Sequence, residues 1–280
     1  MAVEEFPPLG DADYRFVASL LYDRFGIQLG GHKRILVAGR LAKRVRQLGF
    51  SSFGEYLDFL RSDSSGNELS EFVNRLTTNH SFFYREKDHY EFLRAAVLEG
   101  IRARAESGGR PALRIWSAGC ASGEEAYTLA LVVRDFLGDD ARRADLGILG
   151  TDISLASLRT AQAGVYAAQK VSEAPPAIRS AYFREVGENQ LEISPEIRSM
   201  VLFKRLNLMA EGFPFKAAFD VVFCRNVMIY FDQESRSRLV HSFFSWVRPG
   251  GYFFIGHSES IPRADCPFEY VRPAVYRRAG

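Results

Sequence analysis

Apolar positions in the first 80 residues recur at the spacing of an α-helix. Leu41, Val45 and Leu48 follow Val37 at steps of three and four, with basic residues between them. The same period predicts four helices, over 11–25, 31–48, 51–60 and 67–76. We therefore predict a small all-helical domain over residues 1–80.

After residue 110 the pattern changes to short apolar runs that alternate with helical segments. Apolar runs predict strands over 113–117, 146–152, 201–207, 219–226 and 252–257, and helices over 124–137, from 154, and over 233–247. Such alternation is typical of a doubly wound, mostly parallel sheet, giving an α/β fold class for residues 111–280. Two closing runs around Arg272 predict an antiparallel hairpin at one edge. Residues 81–110 are predicted to be a linker that contains one helix over 86–106.

Residues 165–200 interrupt this alternation. They contain a Pro175-Pro176 break, a short helical stretch over 178–183, and a segment over 187–200 that is typical of an antiparallel ribbon. We predict a small inserted antiparallel β-subdomain. An insertion of this kind either recognises a partner or caps the scaffold.

Composition narrows the possible functions. A hydrophobic fraction of 47% over 280 residues is sufficient for two packed cores, and a net charge of +2 argues against a dedicated nucleic-acid binder. Cys120, Cys224 and Cys266 have spacings that fit neither a disulfide framework nor a zinc site, so we predict no metal. The N-terminus is unlike a signal peptide, and no apolar run reaches the roughly 20 residues of a membrane span. We therefore expect a cytoplasmic protein without membrane insertion.

The charge is distributed unevenly along the chain. Residues 24–50 contain seven Lys and Arg residues and no acidic residue. This basic stretch includes the second predicted helix, and it is either a solvated helix face or a docking surface for an acidic partner.

The strongest local motif is a strand that runs through a loop of small residues into a helix. Gly119 and Gly123 lie in this loop, and Glu124 and Glu125 open the helix. The spacing differs from that of dinucleotide-binding loops, and the two acids disfavour a pyrophosphate but suit a cationic sulfonium. Asp152 ends the next strand, where a carboxylate can accept two ribose hydroxyls or cap the following helix.

A second polar cluster follows the apolar strand before residue 225. Arg225 and Asn226 lie at the end of that strand, and Tyr230 follows them beside Phe231. An Arg-Asn pair at the end of a parallel strand indicates a binding site. The tyrosine by itself is more typical of a residue that forms the wall of a pocket than of a catalytic residue.

Several motifs together resemble the chemotaxis receptor methyltransferase family, commonly called CheR. The motifs are TTNHSFFYRE at 77–86, WSAGCASGEEAY at 116–127, TDI at 151–153, FCRNVMIYF at 223–231 and GHSE at 256–259. They occur in the family's order over nearly the whole chain. The resemblance implies a helical domain followed by a class I methyltransferase-like domain that binds S-adenosyl-L-methionine and releases S-adenosyl-L-homocysteine.

The resemblance also implies roles for individual residues. Arg85 and Tyr230 match the family positions closest to the transferred methyl group. Cofactor contacts are implied for Asn79, Ser81, Arg85, Glu125, Asp152, Asn207, Leu208, Arg225 and Asn226. Ser81 stands where threonine is usual, which keeps the hydroxyl, and Ala126 stands where proline is common.

The implied function is methylation of glutamate side chains on the cytoplasmic helical bundle of bacterial chemoreceptors, by a monomer. The basic helix then becomes a candidate receptor-docking surface, formed by Lys33, Arg40, Lys43, Arg44 and Arg46. The short stretch over 184–192, with one glycine, indicates a family member that works without tethering to a receptor pentapeptide. The alternatives are a non-catalytic cofactor-binding adaptor and a methyltransferase for another protein or a small molecule.

Overall fold

The computed structural model describes residues 7–77, 80–142 and 144–280. All four predicted N-terminal helices are confirmed. They are α1 (Asp11–Phe25), α2 (Arg34–Gln47), α3 (Phe53–Ser62) and α4 (Asn67–Leu76). Gly26 ends α1 in the left-handed conformation, and Ser52 caps α3 by accepting a hydrogen bond from the Glu55 amide. The helices enclose their own core, in which Val37, Leu41 and Val45 are buried as their period predicts.

The predicted linker helix has an interruption. It consists of α5 (Lys87–Leu93) and α6 (Glu99–Glu106), joined by a π-helical turn at Arg94–Leu98. A π turn adds one residue to the helical repeat and rotates the faces on either side of it. Leu93, Leu98 and Ile101 are consequently all buried against the sheet domain.

The sheet has seven strands, and its predicted α/β class is confirmed. In chain order the strands are β1 (Ala112–Ala118), β2 (Asp145–Asp152), β6 (Val201–Arg205), β7 (Phe219–Cys224), β8 (Val247–Ile255), β9 (Glu269–Arg272) and β10 (Val275–Arg277). Their spatial order is β6-β2-β1-β7-β8-β10-β9. Only β10 runs against the other strands, and its antiparallel pairing with β9 forms the predicted edge hairpin. The chain changes direction of winding between β1 and β7, the position where ligands bind in open α/β sheets.

Helices cover both faces of this sheet. They include α7 (Glu124–Leu137), α8 (Leu155–Ala163) and α12 (Gln233–Trp246). Along β1, Leu113 and Ile115 belong to one apolar layer, whereas Trp116 and Ala118 belong to the other. This alternation is the period of two expected of a central strand buried on both faces. None of the described helices is long and apolar enough to cross a membrane.

The insertion forms a separate three-stranded antiparallel sheet, as predicted. Its strands are β3 (Val165–Ala167), β4 (Phe183–Gly187) and β5 (Gln190–Ile193), and its helices are α9 (Ala168–Val171), α10 (Pro176–Tyr182) and α11 (Pro195–Ser199). The ribbon was predicted to extend to residue 200, but its last strand ends at Ile193 and a short helix follows. Pro195 occupies the first turn of α11, where its missing amide hydrogen costs nothing.

The helical domain packs on the sheet edge at which the parallel strands end. Ile27 forms an antiparallel bridge with Phe231, and the Gln28 amide donates to the Tyr230 carbonyl at 2.9 Å. The Tyr22 hydroxyl donates to Asp232 at 2.6 Å, and Asn207 Nδ2 donates to the Arg24 carbonyl at 2.8 Å. These contacts enclose a cavity between the two parts of the chain.

Candidate cofactor and active site

The cavity has a volume of about 300 Å³ and lies over the carboxyl ends of the central strands. Most of the predicted site residues line it. They are Ser81, Arg85, Glu125, Asp152, Asn207, Leu208, Arg225, Asn226 and Tyr230. Asn79 lies outside the described residues. Side chains that are far apart in sequence therefore meet in one space.

The loop between β1 and α7 approaches the cavity with backbone in unusual conformations. Gly119, Ala121 and Gly123 have φ values of 81°, 49° and 92°. The amides of Gly119 and Cys120 both donate to the Thr151 carbonyl, at 2.7 and 2.9 Å, which ties the loop to the end of β2. A Cβ atom at Gly119 would collide with Val227, so the loop requires glycine there.

Asp152 is fixed by backbone donors on both sides. Its Oδ2 accepts from the Ala121 amide at 2.9 Å, and its Oδ1 accepts from the Ser154 amide at 2.8 Å. Ser154, not Asp152, caps α8, because its hydroxyl accepts from the Ser157 amide. Burial raises the pKa of Asp152, while the two amide hydrogen bonds act in the opposite direction. The carboxylate is thus oriented into the cavity without serving as a helix cap.

The two acids that open α7 have different environments. Glu124 is fully buried, outside the cavity lining, and accepts from Ser122 at 2.7 Å and from Lys170 of α9. Glu125 lines the cavity and accepts from the Ser117 hydroxyl at 2.7 Å. The expectation that both acids face the ligand is therefore wrong for Glu124, which links the cofactor loop to the insertion.

Arg225 is buried with only 1% of its side chain exposed, and all three of its nitrogens donate to protein acceptors. Nε donates to Glu86 at 3.1 Å, Nη1 to Tyr90 at 3.0 Å and Glu125 at 3.2 Å, and Nη2 to the Arg85 carbonyl at 2.5 Å. Burial acts to raise the pKa of Glu86, but Arg225, His257 and His89 together lower it below its ordinary value. Burial raises the pKa of Glu125 despite the same arginine. Arg225 therefore holds the linker against the sheet.

Arg85 is presented to the cavity by two strained neighbours. Tyr84 and Glu86 have φ values of 61° and 58°, a region that non-glycine residues adopt at a cost. Within the part of the chain that the structure describes, the Arg85 guanidinium makes only long polar contacts, 3.4 Å to the His80 carbonyl and 4.0 Å to Glu86. Its donors are therefore open to an anionic group in the cavity.

Tyr230 ends a 3₁₀ turn (Met228–Tyr230) that follows β7. Glu259 stabilises this turn by accepting from the amides of Gly256, Asn226 and Ile229, at 2.7, 2.8 and 3.2 Å. Asn226 itself has a φ of 59°. Sequence reasoning missed Glu259 as a positioning residue, although it lies in the GHSE motif that was part of the resemblance.

The basic residues of the helical domain do not form one surface. Lys33 and Arg40 line the cavity, and Arg40 also donates to the Leu76 carbonyl at 2.6 Å. Arg44 forms a two-point ion pair with the buried Glu68, at 3.0 and 2.5 Å. Lys43 and Arg46 are exposed. Arg44 is thus held by an ion pair within the helical domain.

Two family matches cover most of the chain. Residues 12–77 match the all-alpha domain of CheR methyltransferases, and residues 79–276 match the SAM binding domain of CheR methyltransferases. The chain belongs to the CheR methyltransferase family. The resemblance found in the sequence is thereby confirmed, and so is S-adenosylmethionine as the cofactor.

Similar proteins from several bacteria carry consistent names. A chemotaxis protein methyltransferase of Borreliella burgdorferi is 37% identical over 259 residues, covering 92% of this chain and 91% of that protein. A probable one of Rhizobium etli is 38% identical over 262 residues, covering 92% and 96%. One of Escherichia coli is 36% identical over 271 residues, covering 96% and 91%.

The cavity residues fit S-adenosylmethionine chemically. Asp152 offers an oriented carboxylate to a vicinal diol, and Glu125 offers negative charge to the cationic end of the cofactor. Leu208, Val227 and Phe231 supply apolar surface for an aromatic base. The glycine at 119 keeps the loop backbone accessible. This combination of acidic and apolar surface is what a sulfonium nucleoside requires.

Proposed function

We propose that this protein methylates glutamate side chains on the cytoplasmic helical bundle of bacterial chemoreceptors. The observation that carries the proposal is the open Arg85 guanidinium, which lies in the same cavity as Asp152 and Glu125. One cavity thus offers carboxylates to a cationic cofactor and a cation to an anionic substrate. The chemotaxis names of the relatives support the receptor as substrate.

The reaction needs no general base. A glutamate side chain has a pKa of about 4.3 and is ionised near neutral pH. S-adenosylmethionine, when bound, supplies a methyl group on a sulfonium and leaves as a neutral thioether. The protein therefore contributes alignment, exclusion of water and electrostatic stabilisation.

Arg85 and Tyr230 are the residues that we assign to alignment. Arg85 would hold the substrate carboxylate by charge-assisted hydrogen bonds and leave one oxygen free to attack. Tyr230 would form the wall along which the methyl group passes, because its backbone is fixed by the Gln28 amide on one side. Asp152, Glu125, Ser81, Asn207, Leu208 and Asn226 would hold the cofactor, and Arg225 would act through its contacts with Arg85 and Glu125 rather than on a ligand.

Docking of the receptor would use basic residues of α2, together with Lys33 just before it, that line the cavity or face solvent. Lys33 and Arg40 belong to the first group, and Lys43 and Arg46 belong to the second. Methylation-site glutamates on a helical bundle carry the complementary charge. We omit Arg44 from this surface because of its ion pair with Glu68.

We also propose that the protein works without a receptor pentapeptide. The strands β4 and β5 are joined by only two residues, Glu188 and Asn189, so that the subdomain has no long glycine-rich loop at this position. Calorimetric titration with such a peptide should show no tight binding. Tight binding would contradict this part of the proposal and leave the methyl-transfer activity intact.

The direct test is methyl transfer from labelled cofactor to purified receptor cytoplasmic fragments. We expect base-labile methyl esters on glutamate side chains, located by mass spectrometry. Fragments with glutamine at those positions are the matched control and should stay unlabelled. Cofactor binding without any transfer would instead indicate an adaptor, and transfer to other acceptors would indicate a different substrate.

A further inference from the structure

A cluster of potential metal ligands lies behind Arg225, outside the lining of the cofactor cavity. Glu86 immediately precedes α5, His89 lies in the first turn of that helix, and His257 follows β8. One ligand atom from each of the three side chains lies within 4.8 Å of the other two. His257 is far in sequence from Glu86 and His89, which is why the spacing of histidines and cysteines predicted no metal.

His89 is the observation that distinguishes this cluster from an ordinary polar contact. The ring is fully buried, and neither of its nitrogens has a hydrogen-bond partner within the described residues. Nδ1 lies 3.5 Å from Glu86, too far for a good hydrogen bond. Burial of an imidazole with both nitrogens unpaired is costly, so the site requires a further partner.

We propose that Glu86, His89 and His257 form a binding site for a divalent transition-metal ion, with zinc as the best match. Two imidazole nitrogens and one carboxylate oxygen are a ligand set typical of such ions, whereas Ca²⁺ and Mg²⁺ prefer oxygen ligands alone. Asp88 lies 3.3 Å from Nε2 of His257. In the proposed site this carboxylate would hold Nε2, and Nδ1 would bind the ion. A carboxylate behind a ligating histidine is the usual outer support of a zinc site.

Nearby charges permit a cation there. Arg225 and Arg85 lie 2.9 and 4.0 Å from Glu86, and Arg272 lies 3.5 Å from Asp88. The carboxylates of Glu86, Asp88 and Glu125 equal these three guanidinium groups in number. The ion would compete with Arg225 for Glu86.

Because Arg225 also holds the Arg85 carbonyl and Glu125, metal binding is coupled to the cofactor cavity. The site would act as an inhibitory one, since an ion on Glu86 loosens the arginine that organises the cavity. This coupling rests on the proposed cofactor site, but the metal site itself does not.

The test uses the full chain without a histidine tag, stripped of metal with a chelator. Calorimetric titration with Zn²⁺ should show one ion per chain. The His257→Gln variant should weaken that binding at least tenfold, whereas His241→Gln, an exposed histidine of α12, should bind as the wild type does. The His257 side chain is 44% exposed, so its substitution leaves the apolar core unchanged, and circular dichroism checks the fold of the variant.

Co²⁺ serves as a spectroscopic probe that separates this site from the cysteines. The expected visible bands are those of nitrogen and oxygen ligands without a thiolate charge-transfer band. Thiolate bands, or Zn²⁺ binding that is unchanged in His257→Gln, would overturn the proposal. Zn²⁺ should also weaken binding of S-adenosylhomocysteine in the wild type but not in His257→Gln, and failure of this measurement alone would overturn only the coupling.

Discussion

Arg85 and Arg225 belong to the same site but differ in what their guanidinium groups contact. Arg225 is saturated by Glu86, Tyr90, Glu125 and a carbonyl, so it stabilises the arrangement of the cavity wall. Arg85 has only long polar contacts with the residues described, so its donors are available to a substrate. Residue type alone does not separate these roles, because the difference lies in the acceptors that surround each side chain.

Replacing Arg85 by alanine should slow methyl transfer strongly. Charge-assisted hydrogen bonds contribute about 1.5–3 kcal/mol, so we expect roughly a 10- to 100-fold lower rate at saturating cofactor. The measurement is the initial rate on receptor fragments, together with the affinity for S-adenosylhomocysteine. Arg184→Ala, at an exposed position, is the matched control. A near-normal rate with unchanged cofactor affinity in Arg85→Ala would contradict the assigned role.

Cofactor affinity should depend on pH through Glu125. Burial raises the pKa of Glu125 above its ordinary value of 4.5, with Arg225 acting in the opposite direction. Protonation removes the negative charge that attracts the cationic cofactor, so affinity should fall as pH decreases toward that raised pKa. For the protein alone the sign is opposite: the folded state binds this proton more tightly, so the contribution of Glu125 to the unfolding free energy decreases as pH rises through the same window.

Calorimetry with S-adenosylmethionine across mildly acidic pH measures this dependence. Glu125→Gln should bind more weakly and show a flatter pH profile. The pKa of Asp152 is also raised by burial, so part of the slope should persist in the variant. An unchanged slope would assign the titration to Asp152 instead.

At the scale of elements, the site depends on how the segment after α1 meets the turn after β7. The Gln28 amide and the Ile27–Phe231 bridge attach the helical domain to the residues around Tyr230. On the other side, Glu259 holds the same turn through three amides. Tyr230 is therefore positioned by two elements that are remote from it in sequence.

Gln28→Pro should impair methyl transfer by removing one backbone donor. The net loss of a hydrogen bond is about 0.5–1.5 kcal/mol, which corresponds to at most roughly a tenfold lower rate. Gln28→Ala keeps the amide and is the matched control, because the Gln28 side chain is exposed. Rates and thermal unfolding of both variants are the measurements. Equal rates in the two variants would show that this backbone contact does not position Tyr230.

At the scale of the whole molecule, the helical domain closes the cavity and carries the exposed charges of α2. Lys43→Glu with Arg46→Glu should lower kcat/KM for receptor fragments roughly five- to tenfold at low ionic strength, because exposed charges chiefly affect the rate of encounter. Binding of S-adenosylhomocysteine should be unchanged. Reversal of the exposed Arg179 and Arg263 is the control for net charge. Equal losses in both double variants would argue against a docking surface on α2.

Sequence patterns by themselves predicted the elements and the cavity residues at strand ends, whereas Ser81, Arg85, Asn207 and Leu208 were implied by the family motifs. The apolar period in 1–80 and the alternation after residue 110 predicted the helices and strands. This works because an element that is buried on one face or on both has apolar residues at regular spacings along the sequence. The residues at strand ends, such as Asp152 and Arg225, were predictable because parallel strands end at one edge. The π turn at Arg94–Leu98 was not predictable, because a helix with one extra residue in a turn has the same kinds of residues as a regular helix.

Only the tertiary structure decided which partner each charged group has. Glu124 and Glu125 are neighbours in sequence, yet the first is paired with Lys170 of the insertion, whereas the second is paired with Arg225 and lines the cavity. Arg44 is similarly committed to Glu68, 24 residues away. The cluster of Glu86, His89 and His257 exists only after folding. The physical reason is that an ion pair depends on the distance between two side chains in the folded chain. The order of residues along the chain predicts which positions are buried much better than it predicts these distances.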